Sequence, residues 1–511
     1  MVACRMTEGD TSQSGRRMFV WSLGLCMATA IITLVAPGPT VAFLKAATNA
    51  VFEYTTSFIL LSVSGFLVLC LVLAISPIGK WRLGPPDVKP DFSTVSWLSM
   101  LFAAGMGTGL VVWGVAEPMT HLLKPPVGEP GQDVPLAFLI THFHWGLHAW
   151  AIYGIGALIL AWFGFTQDTP YLPGSPIRSR FRGRWVKPVA SGADLLAIFA
   201  VAFGVAGTMG MGVVQLGSGL TAVAGFPADS TLVDMGIMVV LVAAYMASAA
   251  TGLDKGIKIL SNINMLLAIG LMLAMLWLGG VSNLLGAYVD NLVHYLSALP
   301  ALSVDTQPFG GSDSWIRGWT LVYFIWWIAW TPFVGIFIAR ISRGRSIREF
   351  VLGVLIAPTL FSIFWFTVIG GVAVQLQSEG GFDYTAMLSS DVTGVLYHVL
   401  ESASGGTWAG VLTTFLLFIF MVTSVDSATF VLGMLTSGGT LNPARSRKIA
   451  WGVGLGLLGA AFAFVGSVET IKVLTIAGAV PFLLVLLLQL WAFMGSLRSE
   501  YERRSSSSEP G

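Results

Sequence analysis

The sequence predicts an all-α polytopic membrane protein with twelve transmembrane helices, and three observations carry that expectation. Of its 511 residues 55% are hydrophobic and 10% charged, whereas soluble domains carry about a quarter charged residues. The apolar residues gather into long runs, and a helix of about 20 residues crosses the hydrocarbon core of a bilayer. Lysine and arginine, finally, are concentrated in alternate connections between those runs. All but four of the 27 basic residues, the exceptions being Lys45, Lys124, Arg317 and Lys472, fall on one side when the connections are assigned alternately. Such a bias marks the cytoplasmic face and places both termini there. Omitting one helix would reverse every later loop.

Residues 1–17 form a cytoplasmic leader with Arg5, Arg16 and Arg17. The apolar run that follows exceeds the ~7–15 residues of a signal-peptide core, so it is expected to remain as the first helix, near 18–36. The second lies near 55–76. The third, near 94–116, contains Ala103-Ala-Gly-Met-Gly-Thr-Gly109, with glycine at 105, 107 and 109. This poor helix propensity predicts a break that frees carbonyls for a cation or amides for an anion; close packing through small residues is the other reading. A fourth helix, near 137–163, carries aromatic residues in its interior. The fifth, near 190–220, is long enough to tilt or break, and the sixth and seventh lie near 232–250 and 258–280. Val281 to Gly318 is mixed in character and predicts an amphipathic helix at the outer surface. The eighth, near 319–340, is an aromatic run interrupted at Pro332 and Gly335 and followed by Arg340, Arg343, Arg345 and Arg348. The ninth to twelfth lie near 351–375, 407–435, 449–467 and 473–496. A short cytoplasmic tail, 497–511, is rich in Arg, Glu and Ser, and its composition predicts disorder.

The irregular points of the third and eighth helices are five helices apart. Because five is odd, two successive five-helix units lie with opposite orientation, an inverted repeat with a site at the repeat interface. The first repeat and the outer segment span 94–318 and the second spans 319–496; the two helices of 18–93 stand outside them.

Several chemistries find no support in the sequence. Cys4, Cys26 and Cys70 offer neither a disulfide framework nor metal-ligand spacing. There is no Walker-type loop and no other signal for an organic cofactor. No nucleophile–base or metal constellation points to an enzyme, and the near-zero net charge gives no reason to expect a nucleic-acid partner. His144 and His148 stand at i, i+4 as two potential metal ligands, without a nearby carboxylate or thiol in sequence to complete a site; packing or lining a pathway is the alternative.

Two constellations suggest binding. Trp145, Trp150 and Tyr153 fall within roughly 140° of one helical face, and Trp327 offers a matching ring. Such a box holds a trimethylammonium group by cation–π attraction; an interfacial aromatic girdle is the bland reading. In the tenth helix, Thr423 and Ser424 place hydroxyls inside an apolar run, either as hard ligands for a small cation or bonded back to their own helix. Asp426 is the only acidic residue between Trp408 and Leu441, so it is a functional candidate or a partner for basic residues at the helix end.

These stretches resemble the betaine/choline/carnitine transporter family. Trp326-Trp-Ile-Ala-Trp-Thr-Pro-Phe-Val-Gly335 continuing to Phe350, with GMGTG, HWGLHAWAIY and TSVDSAT in the same order, carries the resemblance over residues 18 to 496. It implies a five-plus-five inverted-repeat fold like that of sodium-coupled amino-acid transporters, in a homotrimer in the bacterial inner membrane, in contact with lipid. Trp145, Trp150, Tyr153 and Trp327 match the family's aromatic box, and Trp330 a tryptophan on the cytoplasmic side of the pathway. Ala103, Met106, Phe420, Thr423 and Ser424 match its sodium site. The fifth helix lacks the arginine of sodium-independent antiporters. Gly109 stands where choline importers often carry aspartate, so the expected substrate is a zwitterion, glycine betaine or a close analogue such as dimethylsulfoniopropionate, with its carboxylate near the Gly107 to Gly109 amides. The expected activity is Na+ symport, with proton-coupled choline or carnitine uptake, or exchange, as the alternative. Short termini argue against osmotic regulation.

Overall fold

The computed structural model describes residues 8–105, 107–228, 230–251, 254–380, 382–465 and 468–506. Among them the regular structure is helical, joined by one isolated antiparallel bridge between Arg82 and Ser346. Helices dominate because hydrocarbon offers no hydrogen-bond partner, and a helix satisfies its backbone within one segment. Ten helical segments among the described residues are long and apolar enough to cross a membrane.

α1 (Glu8–Val35) and α2 (Pro37–Ile75) meet at Ala36, where Pro37 begins the second helix at a position that needs no N–H donor. α2 has 39 residues, about 58 Å of helix, which exceeds the ~30 Å core, so it is tilted or projects beyond it. The third run is divided into α3 (Thr94–Gly105) and α4 (Thr108–Leu123), and the fourth into α5 (Val134–Trp145) and α6 (Leu147–Ala161). After the short α7 (Ser175–Arg180) come α8 (Val186–Ala224), α9 (Thr231–Thr251), α10 (Asp254–Leu278), the outer α11 (Val281–Val304) and α12 (Asp313–Gly318). The second half contains α13 (Thr320–Ile341), α14 (Ile347–Glu379), the short α15 (Tyr384–Ser390) and α16 (Gly394–Ser404), α17 (Trp408–Leu435), α18 (Arg445–Ala463), α19 (Val468–Ala477) and α20 (Phe482–Ser506). α13 packs on α6 and α8, α17 on α8 and α18, and α14 on α4 and α6.

Each of the ten segments overlaps one of the twelve expected runs. Of the other two runs, 94–116 is broken into α3 and α4, and residues 449–463 of the run 449–467 fall in α18, whose first turn carries Arg445, Arg447 and Lys448. The eighth run corrects the expectation of an interruption at Pro332 and Gly335: α13 is continuous from Thr320 to Ile341. The missing proline donor is tolerated where tightly packed neighbours hold the helix, and Gly335 lies against the backbone of Ala157 on α6. The tail also departs from expectation, since Arg498–Ser506 extends α20. Arg498 pairs with Glu502, Arg503 and Arg504 pair with Glu500, and the Arg504 guanidinium lies 4.5 Å above the Trp81 ring.

The basic strip after α13 also acts as a fastener. Ser346 and Glu349 form a capping box at the start of α14. Arg348 donates to the Ala74 carbonyl at 2.6 Å, satisfying an orphan acceptor at the C-terminal end of α2. Arg345 donates to the Phe92 carbonyl and lies 4.8 Å above Trp97.

Candidate functional site

Two interruptions of the helical ladder shape the centre of the molecule. At the first, Gly107 is extended (φ −156°, ψ 178°) and caps α4, so the first amides of α4 have no helical acceptor. A Cβ on Gly107 would meet nothing within 4 Å, whereas one on Gly109 would touch the Trp145 ring at 3.4 Å. Trp365 of α14 steadies this segment by donating its indole N–H to the Leu110 carbonyl at 2.8 Å.

The second interruption, at Gly146, lies inside HWGLHAW. A Cβ there would come within 2.5 Å of both the His142 carbonyl and the Tyr295 hydroxyl, which explains the glycine. The Leu147 N–H donates to Tyr295 Oη at 2.8 Å. The His144 carbonyl accepts the Trp327 indole N–H at 3.1 Å. The break therefore fastens α5 and α6 to α11 and α13.

Because of this break Trp145 belongs to α5, while Trp150 and Tyr153 belong to α6, so a single helical arc does not relate them. Trp327 brings them together instead: its ring centroid lies 5.6 Å from Trp145, 5.8 Å from Trp150 and 4.8 Å from Tyr153. Trp145, Tyr153 and Trp327 line a cavity of about 500 Å³, within the size range of small-molecule sites. Trp150, 1% exposed, packs behind them, edge to face with Tyr153 and tilted against Trp327. Trp113, Tyr323 and Trp326 also line the cavity.

Behind the rings lies a buried polar cluster. Glu117 is fully buried; its Oε2 accepts the Trp145 indole N–H at 2.6 Å, and its Oε1 pairs with His144 Nδ1 at 2.7 Å. His144 Nε2 meets Thr320 Oγ1 at 3.0 Å, and His121 Nε2 lies 3.6 Å from Glu117. The expected His144/His148 pair is divided by the Gly146 break, and His148 Nε2 instead meets Ser303 Oγ at 3.2 Å. The Glu117 side chain and the His144 backbone carbonyl thus orient two indoles of the cavity, Trp145 and Trp327. The pairing of Glu117 with His144 across 27 positions has no signature in local spacing.

From the rings the cavity runs along α13 and α17 toward the end carrying exposed Phe337 and Arg340, with Trp330, Asp426 and Lys448 in its wall. Gly107, Gly109, Phe420, Thr423 and Ser424 line it as well. The Thr423 hydroxyl lies 3.0 Å from the Ile419 carbonyl and 3.1 Å from that of Phe420; donating its proton to its own helix leaves its lone pairs available. Met106 and the side chain of Ala103 lie outside the described residues.

Comparison with known proteins agrees with this architecture. The family profile described as BCCT, betaine/carnitine/choline family transporter, matches residues 17–502. The chain is 41% identical to the glycine betaine transporter OpuD of Bacillus subtilis over 447 residues, covering 86% of each chain. It is 37% identical to a probable glycine betaine transporter of Desulfitobacterium hafniense, over 89% of this chain and 92% of that one. Identity to the ectoine/hydroxyectoine transporter of Virgibacillus pantothenticus is 36%, over 91% and 93%. With ten long apolar helices among its described residues and a profile match over nearly its whole length, the chain belongs to the betaine/carnitine/choline family and is a multi-pass membrane transporter, not an enzyme.

Proposed function

We propose that the protein imports a small onium zwitterion, glycine betaine or a close analogue, by Na+ symport. The observation that carries the reading is the convergence of Trp145, Tyr153 and Trp327 on one cavity wall, with the Glu117 carboxylate behind them engaged by Trp145 and His144. A cation within ~6 Å of a ring centroid gains up to ~2 kcal/mol when desolvated, so the trimethylammonium end is held by rings. The carboxylate end is matched by the amides at the start of α4, where helix geometry favours an anion. Both named betaine relatives support this choice; the ectoine transporter keeps a neighbouring zwitterion in play.

Sodium is the proposed coupling ion. Thr423, Ser424 and Phe420 share the cavity with the open backbone at Gly107, and hydroxyl and carbonyl oxygens are the ligands a hard cation prefers. Ala103 and Met106 complete the proposed set. By the distribution of basic residues, the end at Arg340 and Lys448 is cytoplasmic, in the inner membrane of a bacterium, and the working assembly is a homotrimer. The buried Glu117–His144 pair favours one second reading, proton-coupled uptake of choline or carnitine, or exchange.

Uptake into proteoliposomes of labelled betaine, choline, carnitine, ectoine and dimethylsulfoniopropionate, with a Na+ gradient or a proton gradient alone, separates these readings. Betaine driven by Na+ is the expected result; choline uptake exceeding betaine uptake at equal concentration overturns the substrate. Combined Thr423→Ala and Ser424→Ala substitution is expected to abolish Na+ stimulation, and undiminished stimulation removes the ion assignment.

A further inference from the structure

At the end of the cavity away from Arg340, Trp113 and Tyr323 stand in its wall, and a lysine lies behind them against the Trp113 ring. Lys472 is the only Lys or Arg between Lys448 and Arg498 in the sequence, and it is 4% exposed. Its helix, α19, packs against α2, α8 and α13. From there Nζ reaches 4.3 Å from the centroid of the Trp113 ring on α4 and 4.8 Å from that of Trp319 at the start of α13. The two indoles meet edge to face at 6.2 Å, and Tyr323 lies 6.3 Å from each. Trp113 and Tyr323 also line the cavity.

An ammonium group is costly to bury within a membrane protein, and two indole faces within ~6 Å add to what retains it there. The arrangement joins α4, from the first half of the chain, to α13 and α19, from the second. We infer that Lys472 is a tethered cation whose seat between Trp113 and Trp319 holds the outer end shut while the inner end is open. For the outer path to open, Nζ leaves these rings and the two halves separate. A contact of this strength suits a gate, since the alternating states of such a protein differ by only a few kcal/mol. The inference rests on the transporter reading and not on the identity of the substrate.

The test uses the full chain in right-side-out membrane vesicles without substrate. Cys4, Cys26 and Cys70 are replaced, Leu110→Cys is introduced as a reporter in the cavity wall, and labelling by a membrane-impermeant maleimide is measured from outside. Lys472→Met, which keeps the apolar stem and removes the charge, is expected to raise the labelling rate about 10-fold, equivalent to 1.4 kcal/mol. Trp319→Leu is expected to act in the same direction, and the double variant to label no faster than the stronger single one, as for two halves of one contact. Labelling of Lys472→Met at the parental rate, or fully additive effects in the double variant, overturns the inference. If Lys472→Met does not reach the membrane folded, as judged by size-exclusion elution, Trp319→Leu decides alone, and its labelling at the parental rate overturns the inference. Failure of every substrate in the uptake panel would leave this readout intact, so the two readings fail separately.

Discussion

The chain interrupts its helices at Gly107 and at Gly146, and the two breaks are finished in opposite ways. At Gly146 the neighbouring backbone groups have protein partners: Leu147 donates to Tyr295 and His144 accepts from Trp327. No room remains for a side chain. At Gly107 the chain is extended, a Cβ would meet nothing within 4 Å, and the residue lines the cavity. Irregular backbone inside a membrane is tolerated either where protein fills it or where it faces a cavity, and this molecule uses both. The filled break is a scaffold that sets the rings; the open break leaves backbone facing the cavity.

The comparison predicts that insults to the filled break cost more. Gly146→Ala drives a methyl group against the His142 carbonyl and Tyr295, and overpacking costs up to ~3 kcal/mol, so initial uptake per folded transporter is expected to fall about 100-fold. Uptake above a third of the parental rate would show that the break is not a scaffold.

Tyr295→Phe is the gentler version of the same insult. It keeps the ring and removes the acceptor of the Leu147 N–H, and leaving a buried donor unsatisfied costs about 1–3 kcal/mol. An uptake loss of about 10-fold is expected at that cost, with protein yield largely kept. Wild-type uptake would mean that the Leu147 amide finds another partner.

What the sequence revealed follows the same division. Long apolar runs are legible because desolvation acts on averages, and the break at Gly107 is announced by three alternate glycines. Gly146 stands alone between Trp145 and Leu147, and its cause, Tyr295, lies 148 positions beyond Leu147. Proline at 332 suggested an interruption that tertiary packing overrides. The tail looked disordered by composition, yet α20 enters it already formed, so no nucleation cost opposes continuing, and the Glu500 pairs lie along the helix. Glu117, at the edge of an apolar run, is central only because His144 and Trp145 fold back onto it.

The sharpest version of the comparison is Gly107→Ala. Extended backbone at φ −156° accepts any L-residue, and the added methyl group enters open space, so the fold has no steric reason to fail. Alanine is a poorer helix N-cap than glycine, at a cost of a few tenths of a kcal/mol to ~1 kcal/mol. The expected change in KM for betaine is therefore at most about 5-fold, with kcat and protein yield close to the parental values. A KM increase well beyond that, in a variant that elutes and melts like the parent, would mean that the methyl group displaces ligand directly. The open break would then form the substrate contact itself, at closer range than hydrogen bonding to the α4 amides requires. The ranking of the two breaks by functional cost would be reversed, although their ranking by packing would stand.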